Sequence, residues 1–176
     1  MKKKATALGM RTWAALLTFG LIGQVAWVIE NMYFNVFLYN TITGDTGMIA
    51  AMVSASAVVA TVTTLLMGAL SDKIGKRKSI IVGGYLLWGL SVMAFALVKV
   101  EGLSRLMPAA AAVQTAAVLV IVLDCVMTFF GSSANDAAFN AWVTDMTDET
   151  NRGRVEGMLA VMPMLAMLLV FGLLDG

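Results

Sequence analysis

Three carboxylates stand inside long apolar runs of the sequence: Glu30, Asp124 and Asp136. An acidic side chain at the centre of a bilayer costs about 2.5–3.5 kcal/mol, so a membrane protein keeps one for a purpose such as binding an ion or a proton. Around Asp136, Ser132 and Asn140 lie one helical turn to either side and could hydrogen-bond its carboxyl group in either protonation state. All three carboxylates are therefore candidates for ion coupling. The alternative is that they only join helices.

Uncharged polar residues follow one face of the first apolar run. At about 100° per residue, Gln24, Asn31 and Asn35 fall within about 40° of one another on a helix, with Trp27 beside them. Such a face suits a polar, substrate-binding cavity. Glu30 lies about 120° away and is expected to face a neighbouring helix instead.

On the predicted fourth helix, Asp124 shares one face with Asn135, and Asp136 shares another with Ser132 and Asn140, about 120° away. Both faces cannot line one narrow cavity equally. We favour Asp136 for the cavity, with Asn140 on the same face as a fifth cavity residue. Asp124 is expected to make an interhelix hydrogen bond or to lie in the outer leaflet.

Long apolar helices must position these side chains, because 60% of the residues are hydrophobic and only 13% are charged. A soluble domain of 176 residues could not cover that excess with polar surface. Each of five runs has at least 18 uncharged residues, enough to cross a bilayer. The sequence therefore predicts an all-α, polytopic transmembrane helix bundle. With polar extensions, the predicted spans are about 12–39, 46–71, 78–98, 107–144 and 155–174.

Several function classes are excluded by composition. The chain has no histidine and a single cysteine, Cys125, so zinc sites, disulfides, histidine-based triads and haem attachment are not expected. We expect no metal, no cofactor and no enzymatic activity. A net charge of +1 also argues against a nucleic-acid partner.

Basic residues predict the orientation, because Lys and Arg near span ends are retained in the cytoplasm. With the N-terminus inside, ten basic residues are cytoplasmic, and only Lys99 and Arg105 are outside. We expect a multi-pass protein of the cell membrane. The ten are Lys2, Lys3, Lys4, Arg11, Lys73, Lys76, Arg77, Lys78, Arg152 and Arg154.

The loop between the second and third spans reads G-x-L-x-D-K-x-G-K-R-K over residues 68–78. Gly68 ends a stripe of small residues spaced by four from Ser56, which permits close helix packing. Asp72 could accept hydrogen bonds from backbone N–H groups or pair with a basic residue, and Arg77 is a further candidate gating residue of this loop. Gly75 permits a turn conformation that other residues avoid.

This ordered loop resembles the signature loop of the major facilitator superfamily, and the number and orientation of the spans agree with that family. The resemblance implies two six-helix halves around a central cavity, which rock to open it to either side. The chain would supply five of the six helices of the N-terminal half. Because it stops at Gly176, just after the fifth span, we expect a fragment of a twelve-helix protein. In the family the aspartate matching Asp72 belongs to a latch against the C-terminal half.

A second, weaker resemblance covers the end of the fourth span. Asp136 and Phe139, followed by a loop from Asp145 to Arg152, are similar to the glycoside-pentoside-hexuronide cation symporters. The Asp145 to Arg152 spacing also resembles gating networks near this loop in sugar porters. The stretch at 60–64 lacks the two helix-two aspartates that those symporters use for sodium, which argues against sodium as the coupling ion. The acidic sugar-contact position of their first helix falls near Gln24, a second departure from their pattern.

These observations predict a secondary active transporter that moves a small polar solute, with a sugar or glycoside favoured and a proton as the favoured coupling cation. Its expected partners are the lipid bilayer, the solute, the proton or another cation and the missing C-terminal half. A proton-driven drug exporter is the nearest alternative, although it would need a more apolar cavity. A non-transporting membrane scaffold is the second.

Overall fold

A computed structural model describes residues 8–174, excluding the side chain of Leu174. Lys2, Lys3 and Lys4, which enter the orientation argument, lie outside the described residues. Within 8–174 the chain is helical and has no β-strand, which confirms the predicted all-α class. Five helices there are long and apolar enough to cross a membrane: α1 Met10–Ile42, α2 Thr46–Ile74, α3 Arg77–Leu97, α4 Ala109–Met146 and α5 Arg152–Leu173.

Local sequence explains where these helices begin and end. Asp45 caps α2 by accepting a hydrogen bond from the Gly47 N–H at 2.8 Å. Gly75 ends α2 in the left-handed region, with φ 67°, which a residue with a side chain rarely adopts. Pro163 is the second residue of the helical segment of α5 that begins at Met162, and a missing backbone N–H costs least at such a start.

Two of the long helices contain π-helical turns, in which backbone hydrogen bonds span five residues instead of four. In α1 these turns are Glu30–Phe34 and Leu38–Ile42. In α4 an eight-residue π segment runs over Ser132–Phe139. These turns change the rotation per residue, so side-chain directions computed for a uniform α-helix do not hold across them.

The chain divides into two compact units, Met1–Tyr33 with Asn140–Gly176 and Phe34–Phe139, called here the terminal unit and the central unit. In the terminal unit, the first part of α1 packs against α5. Val28, Ala166 and Val170 form the buried part of that contact.

In the central unit, α2 and α3 both pack against α4. Small residues of α4 with no exposed surface allow the close approach, among them Ala116 and Ala134. The predicted small-residue stripe of α2 is only half-buried. At Gly68 no atom within the described residues lies within 4 Å of an added Cβ, so the close approach expected there is not made in this part of the chain.

The helices α3 and α4 approach each other closely at Gly84, where an added Cβ would lie 2.6 Å from the Ala134 Cβ. Gly84→Ala is therefore expected to destabilise the purified chain by about 1–3 kcal/mol, as overpacking does. The control is Gly83→Ala, because nothing lies within 4 Å of its added Cβ. The control should gain up to about 1 kcal/mol from helix propensity. Unfolding midpoints in detergent measure both, and equal midpoints would contradict the close contact.

Candidate functional site

The carboxylate of Asp136 lies in the π segment of α4, half-buried, at the end of a chain of hydrogen bonds within the central unit. The Tyr85 hydroxyl on α3 donates to Asn135 Oδ1 at 2.9 Å. Asn135 Nδ2 in turn donates to Asp136 Oδ1 at 3.2 Å. The carboxylate thus receives a hydrogen bond whose direction is set by a tyrosine on another helix.

The order of donors explains the direction of the hydrogen bonds that run from Tyr85 through Asn135 to Asp136. A tyrosine hydroxyl inside a membrane-spanning helix needs a polar partner, and Asn135 Oδ1 supplies the acceptor for Tyr85. Once that oxygen faces Tyr85, the amide nitrogen of Asn135 must point away from it and toward Asp136. Asn135 is 5% exposed, so packing also restricts its side chain. The consequence is a carboxylate held in place while part of its surface stays accessible.

Ser132 does not have the role that its spacing predicted. Its Oγ is fully buried, and among the described residues it has no hydrogen-bond partner. The prediction assumed α-helical rotation from Ser132 to Asp136, whereas both residues lie in the π segment, where that rotation does not apply. The carboxyl group is supported by Asn135 instead. Asn140, the other expected neighbour, is exposed and belongs to the terminal unit.

Asp124 lies in the apolar part of α4 that precedes the π segment, and it is 3% exposed. Its side-chain hydrogen-bond partner is Ser56 on α2. The Ser56 hydroxyl also lies 3.0 Å from the Met52 carbonyl oxygen, to which it donates. The hydrogen bond between Asp124 and Ser56 joins α4 to α2. The placement of Asp124 in the outer leaflet stays a prediction.

The predicted polar face of α1 is divided between the two units. Gln24, Trp27 and Asn31 belong to the terminal unit, and Asn35 belongs to the central unit. Asn31 is exposed and donates from Nδ2 to the Trp27 carbonyl at 2.8 Å, which holds its amide along the helix. The π turn Glu30–Phe34 contains Asn31 and ends directly before Asn35, so the uniform 100° rotation that grouped these two residues does not hold across that turn.

Glu30 opens the first π turn of α1 and is 6% exposed, whereas its neighbour Asn31 is exposed. The buried carboxylate and the exposed amide therefore point in different directions, and the packing of Glu30 against a neighbouring helix stays a prediction. Its part in ion coupling stays a prediction.

The loop between α2 and α3 brings together the two charged residues predicted for it. Arg77 Nη2 lies 2.8 Å from Asp72 Oδ1, and Arg77 Nη1 donates to Ser71 Oγ at 3.1 Å. The Gly75 N–H donates to the Ser71 carbonyl at 3.0 Å and closes the turn. Of the two partners considered for Asp72, the basic residue is the one observed. A role in gating stays a prediction.

The loop between α4 and α5, in the terminal unit, is ordered by Arg152. Its Nε donates to Thr147 Oγ1 at 3.2 Å, and its Nη2 donates to the Thr144 carbonyl at 3.2 Å. These bonds hold the guanidinium against the end of α4. Gating by Asp145 with Arg152 stays a prediction, because the hydrogen bonds described for Arg152 go to the two threonines.

Sequence reasoning missed Tyr85, and it placed Asn135 on a face apart from Asp136. The available signal was a tyrosine directly after Gly83 and Gly84 in an apolar span, since a phenol in a bilayer must find a partner. Trp88 is 2% exposed and packs against α4, where a Cβ on Gly131 would lie 2.8 Å from its indole. In residues 8–174 no cluster of three or more His, Cys, Asp or Glu side chains could hold a metal ion.

The sequence model described as Major Facilitator Superfamily matches residues 10–174, which is nearly the whole chain. No curated protein and no solved structure matches it.

Proposed function

The chain belongs to the major facilitator superfamily, a family of membrane transporters, and from that premise we propose that it forms the N-terminal helices of a proton-coupled transporter for a small polar solute. Alternating access would move the solute: a second set of helices, the C-terminal half, would complete the cavity and rock against this one. The cell membrane is the proposed location.

The observation that carries this proposal is the hydrogen-bonded carboxylate of Asp136. A membrane protein that only scaffolds others has no need of a half-buried carboxylate oriented by Asn135 and Tyr85. The same geometry suits a proton carrier, because one oxygen of the group accepts a hydrogen bond from Asn135 and the half-buried side chain keeps some exposed surface for exchange with water. Asp136 is therefore the proposed coupling residue, and Glu30 is the next candidate.

The solute is proposed to be a sugar or glycoside, because the side chains offered for contact are amides and an indole. Amides donate and accept hydrogen bonds, as hydroxyl groups of a sugar require, and an indole ring provides a face for stacking. A drug exporter would be expected to present a more apolar surface. The proposed contact residues are Gln24, Trp27, Asn31, Asn35 and Asn140.

Proteoliposomes containing the complete transporter test this function. An inward proton gradient is expected to drive accumulation of at least one labelled saccharide or glycoside from a panel, and a protonophore should abolish it. The 176-residue chain reconstituted alone is the control and should show no uptake, because it would supply only part of the cavity. Proton-driven export of lipophilic cations without saccharide uptake would support the exporter instead, and no transport of either class would support a scaffold.

The proposed orientation has its own test. Because ten of the twelve basic residues lie on one side of the predicted topology, reporter fusions in the loops at Lys76 and Glu149 should report from the cytoplasm. Fusions at Asp45 and Glu101 should report from outside. An external signal from the Lys76 fusion would reverse the orientation of every span.

A further inference from the structure

A cavity of about 670 Å³ lies at the C-terminal end of α3, and none of the proposed transport residues lines it. It lies within the central unit, where α3 ends at Leu97, a short helix follows over Val100–Ser104, and α4 begins. The short helix packs against α4, so the cavity has walls of helix and loop. Its volume is in the range of sites that hold a drug-sized ligand.

The lining of this cavity is divided between apolar and charged residues. Ala94 and Leu97 of α3 and Leu119 and Leu123 of α4 supply apolar wall. The charged lining residues come from the connecting segment: they are Lys99, Glu101 and Arg105. Two cations and one carboxylate leave the lining with a net positive charge, next to a surface that suits hydrocarbon.

Lys99 and Arg105 are unusual in their predicted location and in having side chains that make no polar contact with another described residue. Lys99 and Arg105 are the only basic residues that the predicted topology leaves on the outer side, and both line this cavity. Their side chains are exposed and make no ion pair or hydrogen bond with another described residue. They are therefore available to a ligand, at a place where the positive-inside tendency disfavours basic residues.

Exposed leucines indicate where the cavity lies relative to a membrane. Leu97 is 82% exposed and Leu106 is 83% exposed, on either side of the short helix. Such side chains belong in the acyl region, while neighbouring Lys and Arg side chains extend to the level of the headgroups. The cavity thus spans the boundary between hydrocarbon and headgroups, where one molecule with an apolar tail and an anionic head would satisfy both kinds of wall.

We propose that this cavity binds an anionic phospholipid, with an acyl chain against the leucines and alanine and the phosphate between Lys99 and Arg105. A net-negative headgroup complements the excess cation, whereas a zwitterionic headgroup brings a further positive charge. The bound lipid would hold the short helix against α4. The proposal concerns the chain itself and does not depend on which solute is transported.

The test is lipid retention by the purified 176-residue chain, measured by native mass spectrometry after incubation with equal amounts of phosphatidylglycerol and phosphatidylcholine. The chain should retain phosphatidylglycerol preferentially. With about a fivefold contribution from each cation near a lipid surface, Lys99→Gln with Arg105→Gln should lower that preference by up to about 30-fold. The charge-preserving exchange of Lys99→Arg with Arg105→Lys should keep it.

A matched control is Lys76→Gln with Lys78→Gln, which removes the same charge from exposed positions at the other end of α3. It should leave the preference unchanged. An equal loss in the control, or no preference in the unmodified chain, would overturn the proposal. Inorganic phosphate at equal concentration should not displace the lipid, and full displacement would mean that the cations bind simple anions. If the double variant fails to fold, Lys99→Gln and Arg105→Gln singly give the same readout, each with about a fivefold loss.

Discussion

Replacing Asp136 by asparagine in the complete transporter is expected to abolish accumulation of solute against a gradient while leaving exchange of solute across the membrane. The amide has nearly the shape of the carboxyl group and can accept the hydrogen bond from Asn135 Nδ2. It cannot take up or release a proton, so solute movement would lose its driving force. Proton-driven uptake measures the first property, and counterflow of labelled solute measures the second.

Three further variants test whether the effect is specific to Asp136 and its hydrogen bonds. Tyr85→Phe keeps the ring but removes the donor to Asn135, so it should weaken accumulation without abolishing it. Asp124→Asn should retain accumulation, because Asp124 joins α4 to α2 through Ser56. Glu30→Gln removes the charge of the buried carboxylate of α1 and tests whether that group carries the coupling proton.

Unchanged accumulation and unchanged pH dependence in Asp136→Asn would make the residue structural. Loss of accumulation in Glu30→Gln would then assign the coupling role to α1. If Asp136→Asn loses counterflow together with accumulation, the residue binds the solute and the separation of roles is wrong.

The sequence was sufficient to predict the helices of the fold. A bilayer requires about 20 apolar residues per spanning helix, and charges such as Lys73 or Arg152 are costly inside it, so uncharged runs predict the five helices. The Asp72 to Gly75 turn was also predictable, because only glycine adopts its left-handed conformation readily. The family followed from the same loop, and the match over residues 10–174 confirms it.

Side-chain directions within the helices were less predictable. A helical wheel assumes one rotation per residue, and the π turns at Glu30–Phe34 and Ser132–Phe139 break that assumption at the polar residues of interest. Asn135 and Asp136 were assigned to separate faces, yet Asn135 is the residue that hydrogen-bonds Asp136. The contact of Gly84 with Ala134 depends on how α3 and α4 pack, and the order of residues along either helix does not determine it.

Asp72→Asn is expected to reduce the transport rate severely while leaving expression, stability and solute binding near normal. The Asp72 side chain is 66% exposed, and an exposed ion pair such as that with Arg77 contributes only about 0–1 kcal/mol. Loss of local stability therefore cannot account for a severe defect. Single-turnover exchange measures the rate, and the unfolding midpoint measures stability. Glu149→Gln, which removes an exposed carboxylate from another loop, should transport normally.

Exchanging the charges of Asp72 and Arg77 distinguishes two roles of Asp72: the ion pair within the turn and a latch against the C-terminal half. Asp72 lies in the last turn of α2 and Arg77 begins α3, so each charge stands at the helix end that disfavours its sign. Asp72→Arg combined with Arg77→Asp keeps an ion pair in the turn and places both charges at favourable helix ends. If the pair only stabilises the turn, this double variant should transport normally. We expect it to remain as slow as Asp72→Asn, because a negative charge at position 72 is what a latch in the opposite half would bind.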